Sequence, residues 1–278
     1  MILVADSGST KTDWAAIGDT VQRFQSIGLN PLFFTDESLE TTISGALADV
    51  TAEEVTGVYF YGSGCGLEVN RERLRKCFRS LFPNVREVDV DTDLVGASIA
   101  LFGQEKGIAC ILGTGANAGI YDGRTIVKTP LSLGYMLGDN GSGAVLGMQL
   151  IKLYLRGMLP PEVAAELEKD YGVEYKNIIE NVYKKERPNK YFASFSPFVA
   201  KHQQVKPIAE MLDHEFSEFF EYFVVPFYQE EKMPVRIIGS VGYYYRDVIA
   251  RVGARYGVSI DKIALKPIDL LIEHHKGK

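Results

Sequence analysis

The sequence predicts an α/β protein of two successive units, each a mixed sheet flanked by helices, and three observations predict it. The 278 residues suffice for two compact units at ~100–200 residues each. Strand-length apolar runs alternate with amphipathic helical stretches in the order β-β-α-β-α-β-α over the first hundred residues. A second unit then opens at Gly107 as the first opens at Ile2, with an apolar strand, a Gly/Thr-rich bend and a returning strand. The boundary falls near residues 103–107, which gives units over 1–104 and 105–266.

Taken in order, residues 2–5 form an apolar β run and residues 13–17 its return, with a Gly/Ser/Thr bend between them. Leu39, Ile43, Leu47 and Val50 share one face of a helix over 36–50. Residues 55–61 are β-branched and aromatic, and they end in the turn Gly62-Ser63-Gly64-Cys65-Gly66. A helix with a basic outer face follows, then a strand over 85–90 and an apolar helix over 94–102. In the second unit, strands are expected over 108–112 and 118–121. Asp122-Gly123 supplies a preferred hairpin turn into 125–128. Helical pattern covers 142–156 and most of 161–229. A late strand over 235–239, a helix over 243–256 and an amphipathic helix from Pro267 complete the chain.

Composition excludes several function classes. Apolar residues make up 46% and charged residues 24%, as in globular domains rather than disordered chains. The formal charge of −6 argues against non-specific binding to nucleic acid or an anionic membrane. No apolar run reaches the ~18 residues of a membrane span, and the N-terminus lacks the basic start of a secretory signal. Cys65, Cys77 and Cys110 form no CxxC and cannot all pair, which suits a reducing, cytoplasmic compartment. The histidines at 202, 214, 274 and 275 have no metal-ligand spacing, so no zinc site is expected. The aromatic run 216–228, at helical spacing, reads as core or as the surface of a homodimer.

Five segments carry residues suited to chemistry. Gly8-Ser9-Thr10-Lys11-Thr12 offers close backbone approach, a row of N–H donors, hydroxyls and one cation, all of which suit phosphate; a polar hairpin turn is the plainer reading. Asp6, at the end of the first strand, suits a water-mediated Mg2+ contact. Gly113-Thr114-Gly115 is a second candidate phosphate bend, and two such bends, one per unit, would serve a common cleft. Asp89, Asp91 and Asp93 alternate at a strand end, so they share one face if the strand persists. Asp93 is either an N-cap or a general base for a substrate hydroxyl. The glycine-rich segment 134–143 places Asp139 where it can accept sugar hydroxyls or assist a metal, with Ser142 as a helix cap. Gly239-Ser240-Val241-Gly242 lets a nucleoside lie against bare backbone.

The ordered set Asp6 to Thr12, Asp91-Thr92-Asp93, Leu112 to Asn117, Gly138 to Ser142 and Gly239 to Gly242 resembles the N-acetylglucosamine kinase family, in the BadF/BadG-type branch of the actin-like, hexokinase-like ATPase superfamily. The resemblance spans nearly the whole chain. It implies two ribonuclease-H-like lobes with mixed five-stranded sheets, a cleft between them, and a last helix over 267–278 returning to the first lobe. It implies ATP and Mg2+ as cofactors, with Asp6 organising the metal. Gly8 to Thr12 and Gly113 to Gly115 would bind phosphate, and Gly239, Ser240 and Gly242 adenosine. Asp93 would be the catalytic base, and Asn30, Asp93, Asn117 and Asp139 the sugar contacts. The implied reaction is transfer of the γ-phosphoryl group to a hydroxyl, the 6-OH, of an amino sugar such as N-acetylglucosamine. Ser240 departs from the family pattern, which usually has glycine there, and several loops are short. Two alternatives stand beside this reading: an activator ATPase of a 2-hydroxyacyl-CoA dehydratase, whose iron–sulfur loop the cysteines do not recreate, and a non-catalytic nucleotide- or sugar-binding sensor.

Overall fold

The computed structural model describes residues 1–276. Its strands are β1 (Ile2–Ser7), β2 (Lys11–Ile17), β3 (Val21–Ile27), β4 (Gly57–Gly62), β5 (Glu87–Thr92), β6 (Gly107–Leu112), β7 (Ala116–Tyr121), β8 (Ile126–Lys128), β9 (Val235–Ile238) and β10 (Ile260–Ala264). The helices begin with α1 (Asp36–Ala46), α2 (Glu68–Leu81), α3 (Asp93–Phe102), α4 (Gly134–Leu137) and α5 (Gly143–Leu155). They continue with α6 (Pro161–Tyr171), α7 (Tyr175–Tyr183), α8 (Pro188–Ala193), α9 (Ser196–Lys201), α10 (Lys206–Phe219) and α11 (Val225–Glu230). The last three are α12 (Ser240–Tyr244), α13 (Arg246–Arg255) and α14 (Pro267–His275). Residues 277 and 278, in the tail of the expected last helix, lie outside the described residues.

Contacts divide the chain into two compact units. One comprises 1–109, 121–127 and the segment that begins at Lys266; the other comprises 110–120 and 128–265. The first unit holds a five-stranded mixed sheet in the order β3-β2-β1-β4-β5. β1 pairs antiparallel with β2 and parallel with β4, and β4 pairs parallel with β5. β1 and β4, central in this sheet, are largely apolar, as strands covered on both faces must be. Trp14, Phe60 and Phe78 meet at ring separations of 5.6–6.2 Å in the core on one face. α14 packs with α3, β1 and β2. It is pinned by buried His275, which stacks on Tyr59 at 4.3 Å and bonds the Tyr61 hydroxyl at 3.1 Å.

The second sheet has the order β10-β9-β6-β7-β8, also five strands. Its unit adds the run of helices from α5 to α11. Phe216, Phe219, Phe220, Phe223 and Phe227 are all buried there, so the aromatic run is mainly core. Residues 220–224 form a π-helical turn between α10 and α11.

Two strands go beyond the sequence expectation. β3 mixes polar Gln22, Arg23, Gln25 and Ser26 with exposed Val21 and Ile27, and of its large apolar residues only Phe24 is partly buried, because it is an exposed edge paired only to β2. β10 is an edge strand with an irregularity between Ile260 and Lys262. The helix expected over 243–256 is instead two helices that meet at buried Tyr245.

Candidate active site

In the first unit the site begins at the β1–β2 bend. The register sets Asp6 opposite Asp13 and Ser7 opposite Thr12. The Gly8 N–H donates to the Lys11 carbonyl at 3.0 Å and closes the bend. Behind it, Gly28 donates to the Thr10 carbonyl at 3.1 Å, and a Cβ on Gly28 would lie 2.2 Å from the Gly8 carbonyl oxygen. Only glycine lets the two backbones approach this closely. Ser9, Thr10 and Lys11 stay at least partly accessible on the other side.

Thr12 requires a correction to its phosphate role. Its hydroxyl is fully buried and lies 2.8 Å from the Ser7 hydroxyl. It donates to the Ile27 carbonyl at 3.1 Å, while the Leu29 N–H donates to Ser7 Oγ at 3.0 Å. Ser7 and Thr12 therefore fasten the base of the bend to the segment 27–29. Lys11 pairs with Asp13, its Nζ 2.7 Å from one carboxylate oxygen and 3.0 Å from the other, and stays exposed. Asp13 accepts from Gln25 as well. It is a member of the charge cluster that the strand pattern concealed.

Asp6 is half-buried, and its carboxyl is pushed up to about 7, first by burial and then by the charges of Asp93 and Asp13, with Lys11 opposing. β5 ends at Thr92, so the acidic alternation does not continue as strand through Asp93. Thr92 is the N-cap of α3, its hydroxyl accepting from the Val95 N–H at 3.2 Å. Asp93 is the first helical residue, and one of its oxygens accepts from the Leu94 N–H at 2.9 Å. Capping thus falls to Thr92. Asp91 accepts from the Thr92 N–H at 2.7 Å and contacts Arg71.

Asn30 caps the short 3-10 turn over Pro31–Phe33, with Oδ1 accepting from the Leu32 N–H at 3.0 Å. It lies against Gly64, whose φ of +83° and lack of a Cβ permit the contact. Asn70 donates to the Gly64 carbonyl at 2.9 Å. Next to Gly64, the buried hydroxyl oxygen of Ser63 has no hydrogen-bond partner. Ser63 is a polar candidate that the glycines around it signalled only as a turn.

The second unit assembles a parallel arrangement. The Gly113 N–H donates to the Gly115 carbonyl at 3.0 Å, forming the β6–β7 bend. α5 starts on that bend: Gly143 donates to the Gly113 carbonyl at 2.8 Å and Ala144 to the Thr114 carbonyl at 3.1 Å. Ser142 caps the helix as expected, accepting from the Val145 N–H at 3.3 Å. Asp139 adopts φ +51°, a left-handed conformation uncommon outside glycine, asparagine and aspartate. A Cβ on Gly115 would stand 3.2 Å from its Oδ2. Burial raises the Asp139 carboxyl, and a hydrogen bond from Ala116 opposes this. Asn117 Oδ1 accepts from the Ala118 N–H at 2.9 Å and from the Thr129 hydroxyl at 3.4 Å.

Gly239 follows β9 with φ +124°, and a Cβ there would stand 2.3 Å from the Leu112 carbonyl oxygen. The 239–242 segment is thereby brought to the Gly113 bend, with Ser240 opening the short helix α12. Gly242 is buried instead, where an added Cβ would stand 2.7 Å from Ile237 Cγ2, and serves helix–sheet packing. The cysteines are all buried free thiols. Burial pushes Cys65 and Cys77 up to about 12 and Cys110 higher still, as apolar core groups rather than thiolate ligands.

No family model matches the chain, and no curated protein matches it by sequence. Solved structures do. A Porphyromonas gingivalis protein, provisionally assigned as an N-acetylglucosamine kinase, is 37% identical over 100% of this chain and 99% of its own, with a TM-score of 0.93. A Chromobacterium violaceum protein with the same provisional assignment aligns over 98% of both chains at 19% identity and a TM-score of 0.72. A ROK-family glucokinase from Streptomyces griseus, solved with glucose and AMPPNP, covers 95% of this chain and 93% of its own at 14% identity and a TM-score of 0.59. The last two share the fold. The first, matched from end to end, shows the lineage: the chain belongs to the N-acetylglucosamine kinase-like family.

Proposed function

We propose that this protein is an ATP-dependent carbohydrate kinase that moves the γ-phosphoryl group of ATP to the 6-hydroxyl of an amino sugar of the N-acetylglucosamine type. The whole-length likeness to the Porphyromonas gingivalis protein supports the reaction class. The observation that carries the chemistry is Asp93: with capping left to Thr92, its carboxylate sits at the start of α3, close enough to Asp6 to raise that group. Asp93 accepts the proton of the sugar hydroxyl as its oxygen bonds to the γ-phosphorus, and the bond from that phosphorus to the β,γ-bridging oxygen breaks to release ADP.

Phosphate contacts are assigned to Gly8, Ser9, Thr10 and Lys11 in the first unit and to Gly113, Thr114 and Gly115 in the second. Gly239 and Ser240 are assigned to adenosine. Asn30, Asn117 and Asp139 are assigned to sugar hydroxyls, and the orphaned Ser63 hydroxyl adds a further polar contact beside Asn30. The donor set fits Mg2+. Asp6 and Asp13 face one lysine, and the negative charge of Asp93 and Asp13, which adds to burial in raising Asp6, is what a hard divalent cation relieves. Asp6 would hold it. When bound, the metal neutralises charge on the phosphate oxygens.

Asp93→Asn tests the assignment. The substitution keeps the shape and removes the base, so sugar-dependent ADP release falls by about 10²–10⁴-fold, with MgATP affinity unchanged by calorimetry. Near-normal turnover in the variant would remove Asp93 from this role.

A further inference from the structure

α10 turns one polar edge toward the loop that carries Asp139. Asn140 donates to Glu218 Oε2 at 2.7 Å. On this edge His214, Glu215 and Glu218 each place one ligand-type atom within 4.8 Å of the other two, the only such group of three among the described residues. His214 Nε2 and Glu218 Oε1 are 3.8 Å apart. A tetrahedral centre with bonds near 2.0–2.1 Å sets its ligands about 3.3 Å apart, so small side-chain rotations complete the set.

Glu215 supplies an independent signal. It is 1% exposed, and Oε1 accepts from Gln149 Nε2 at 2.7 Å, yet the buried Oε2 has no hydrogen-bond partner. A buried carboxylate oxygen is costly when unpaired. Glu218 commits Oε2 to Asn140 and turns Oε1 toward His214, while Glu215 commits Oε1 to Gln149 and leaves Oε2 unpaired. Ligating carboxylates are commonly oriented this way by their outer partners. Solvent reaches His214 through an open groove that Asp213, Ser217 and Arg251 also line.

We propose that His214, Glu215 and Glu218 bind a first-row divalent cation of the Zn2+ class, one imidazole and two carboxylates with water completing the coordination, and that this cation fastens α10 to the 139–142 loop. One imidazole with two carboxylates favours Zn2+ over Mg2+, which prefers oxygen alone.

The test uses the full-length protein, stripped with EDTA and free of nucleotide and sugar, so its outcome is separate from that of the kinase reading. Calorimetry with Zn2+ shows stoichiometric binding, and Mg2+ shows none at this site. Zn2+ also slows amide hydrogen exchange over 139–142. Exposed His214 makes His214→Ala the variant least able to disturb folding, and it abolishes the binding. Gln149→Ala weakens Zn2+ by about 10–100-fold. Absence of stoichiometric Zn2+ binding, or binding unchanged in His214→Ala, would overturn the site. Binding without protection of 139–142 would overturn the fastening.

Discussion

Asp6 is where charge and fold work against each other. Its carboxyl titrates near 7 in the folded chain against 3.8 for an ordinary aspartate, so the folded state holds that proton more tightly than the unfolded state does. This contribution to stability is complete below about pH 4, declines as pH rises to about 7, and stays lost above. Asp6→Asn removes the charge without changing shape. Urea denaturation of the unliganded variant should show higher stability than wild type at pH 8 and little difference near pH 4.5, while the stabilisation given by MgATP at pH 8 disappears. Equal effects at both pH values would place the strain elsewhere. Thr12 offers a second test at this scale. Thr12→Val keeps the volume but strips a buried hydroxyl from Ser7, Ile27 and Leu29, at a cost of about 1–3 kcal/mol by chemical denaturation. A change below measurement would mean that the hydroxyl network does not hold the bend. The sequence marked Thr12 as a phosphate ligand because a hydroxyl in a Gly/Ser/Thr run looks the same whether it faces out or in. Only pairing register sends it inward. Thr92 and Asp93 illustrate the same difficulty, since both residue types cap helices and the choice rests on where β5 stops.

Among elements, those with strong periodicity or unbroken apolar runs were legible. β1, β4, β6, α2, α3 and α5 stand within a few residues of expectation because one buried face fixes each. β3 and β10 were not legible, because an edge strand buries little and tolerates Arg23, Gln25, Asp261 and Lys262. The glycines of the site divide by geometry. Gly239 occupies a backbone region that is essentially glycine's alone, with a carbonyl where a Cβ would be. Gly239→Ala should destabilise the protein by about 3 kcal/mol or more, combining backbone strain with backbone clash. Gly45, inside α1 with open space around it, is the contrast. Gly45→Ala should stabilise by roughly 0.5–1 kcal/mol through helix propensity alone. Thermal denaturation of the two variants separates a glycine required by close approach from one that is merely present. Matching shifts would contradict the distinction.

Over the whole molecule, the repeat of an apolar strand, a glycine-rich bend and a return is what made the architecture readable: each unit builds its five-stranded sheet on that opening. The proposed substrate comes only from the family resemblance, because Asn30, Asn117 and Asp139, the residues proposed to contact it, lie on separate loops with no spacing rule to connect them. The His214 cluster was hidden for another reason. Three residues on one helix acquire meaning only when Gln149 and Asn140, from α5 and the loop before it, take up one oxygen of each carboxylate. No helix among the described residues is long and apolar enough to cross a membrane. The most direct measurement is ADP release from MgATP by the purified protein across glucosamine, N-acetylglucosamine, N-acetylmuramic acid, N-acetylmannosamine and glucose, with each product identified by mass and phosphorus NMR. The account predicts ADP and a 6-phosphate in equal amounts with at least one amino sugar, and only background release without sugar. ADP release that no sugar stimulates, or that yields no phosphorylated sugar, would contradict it.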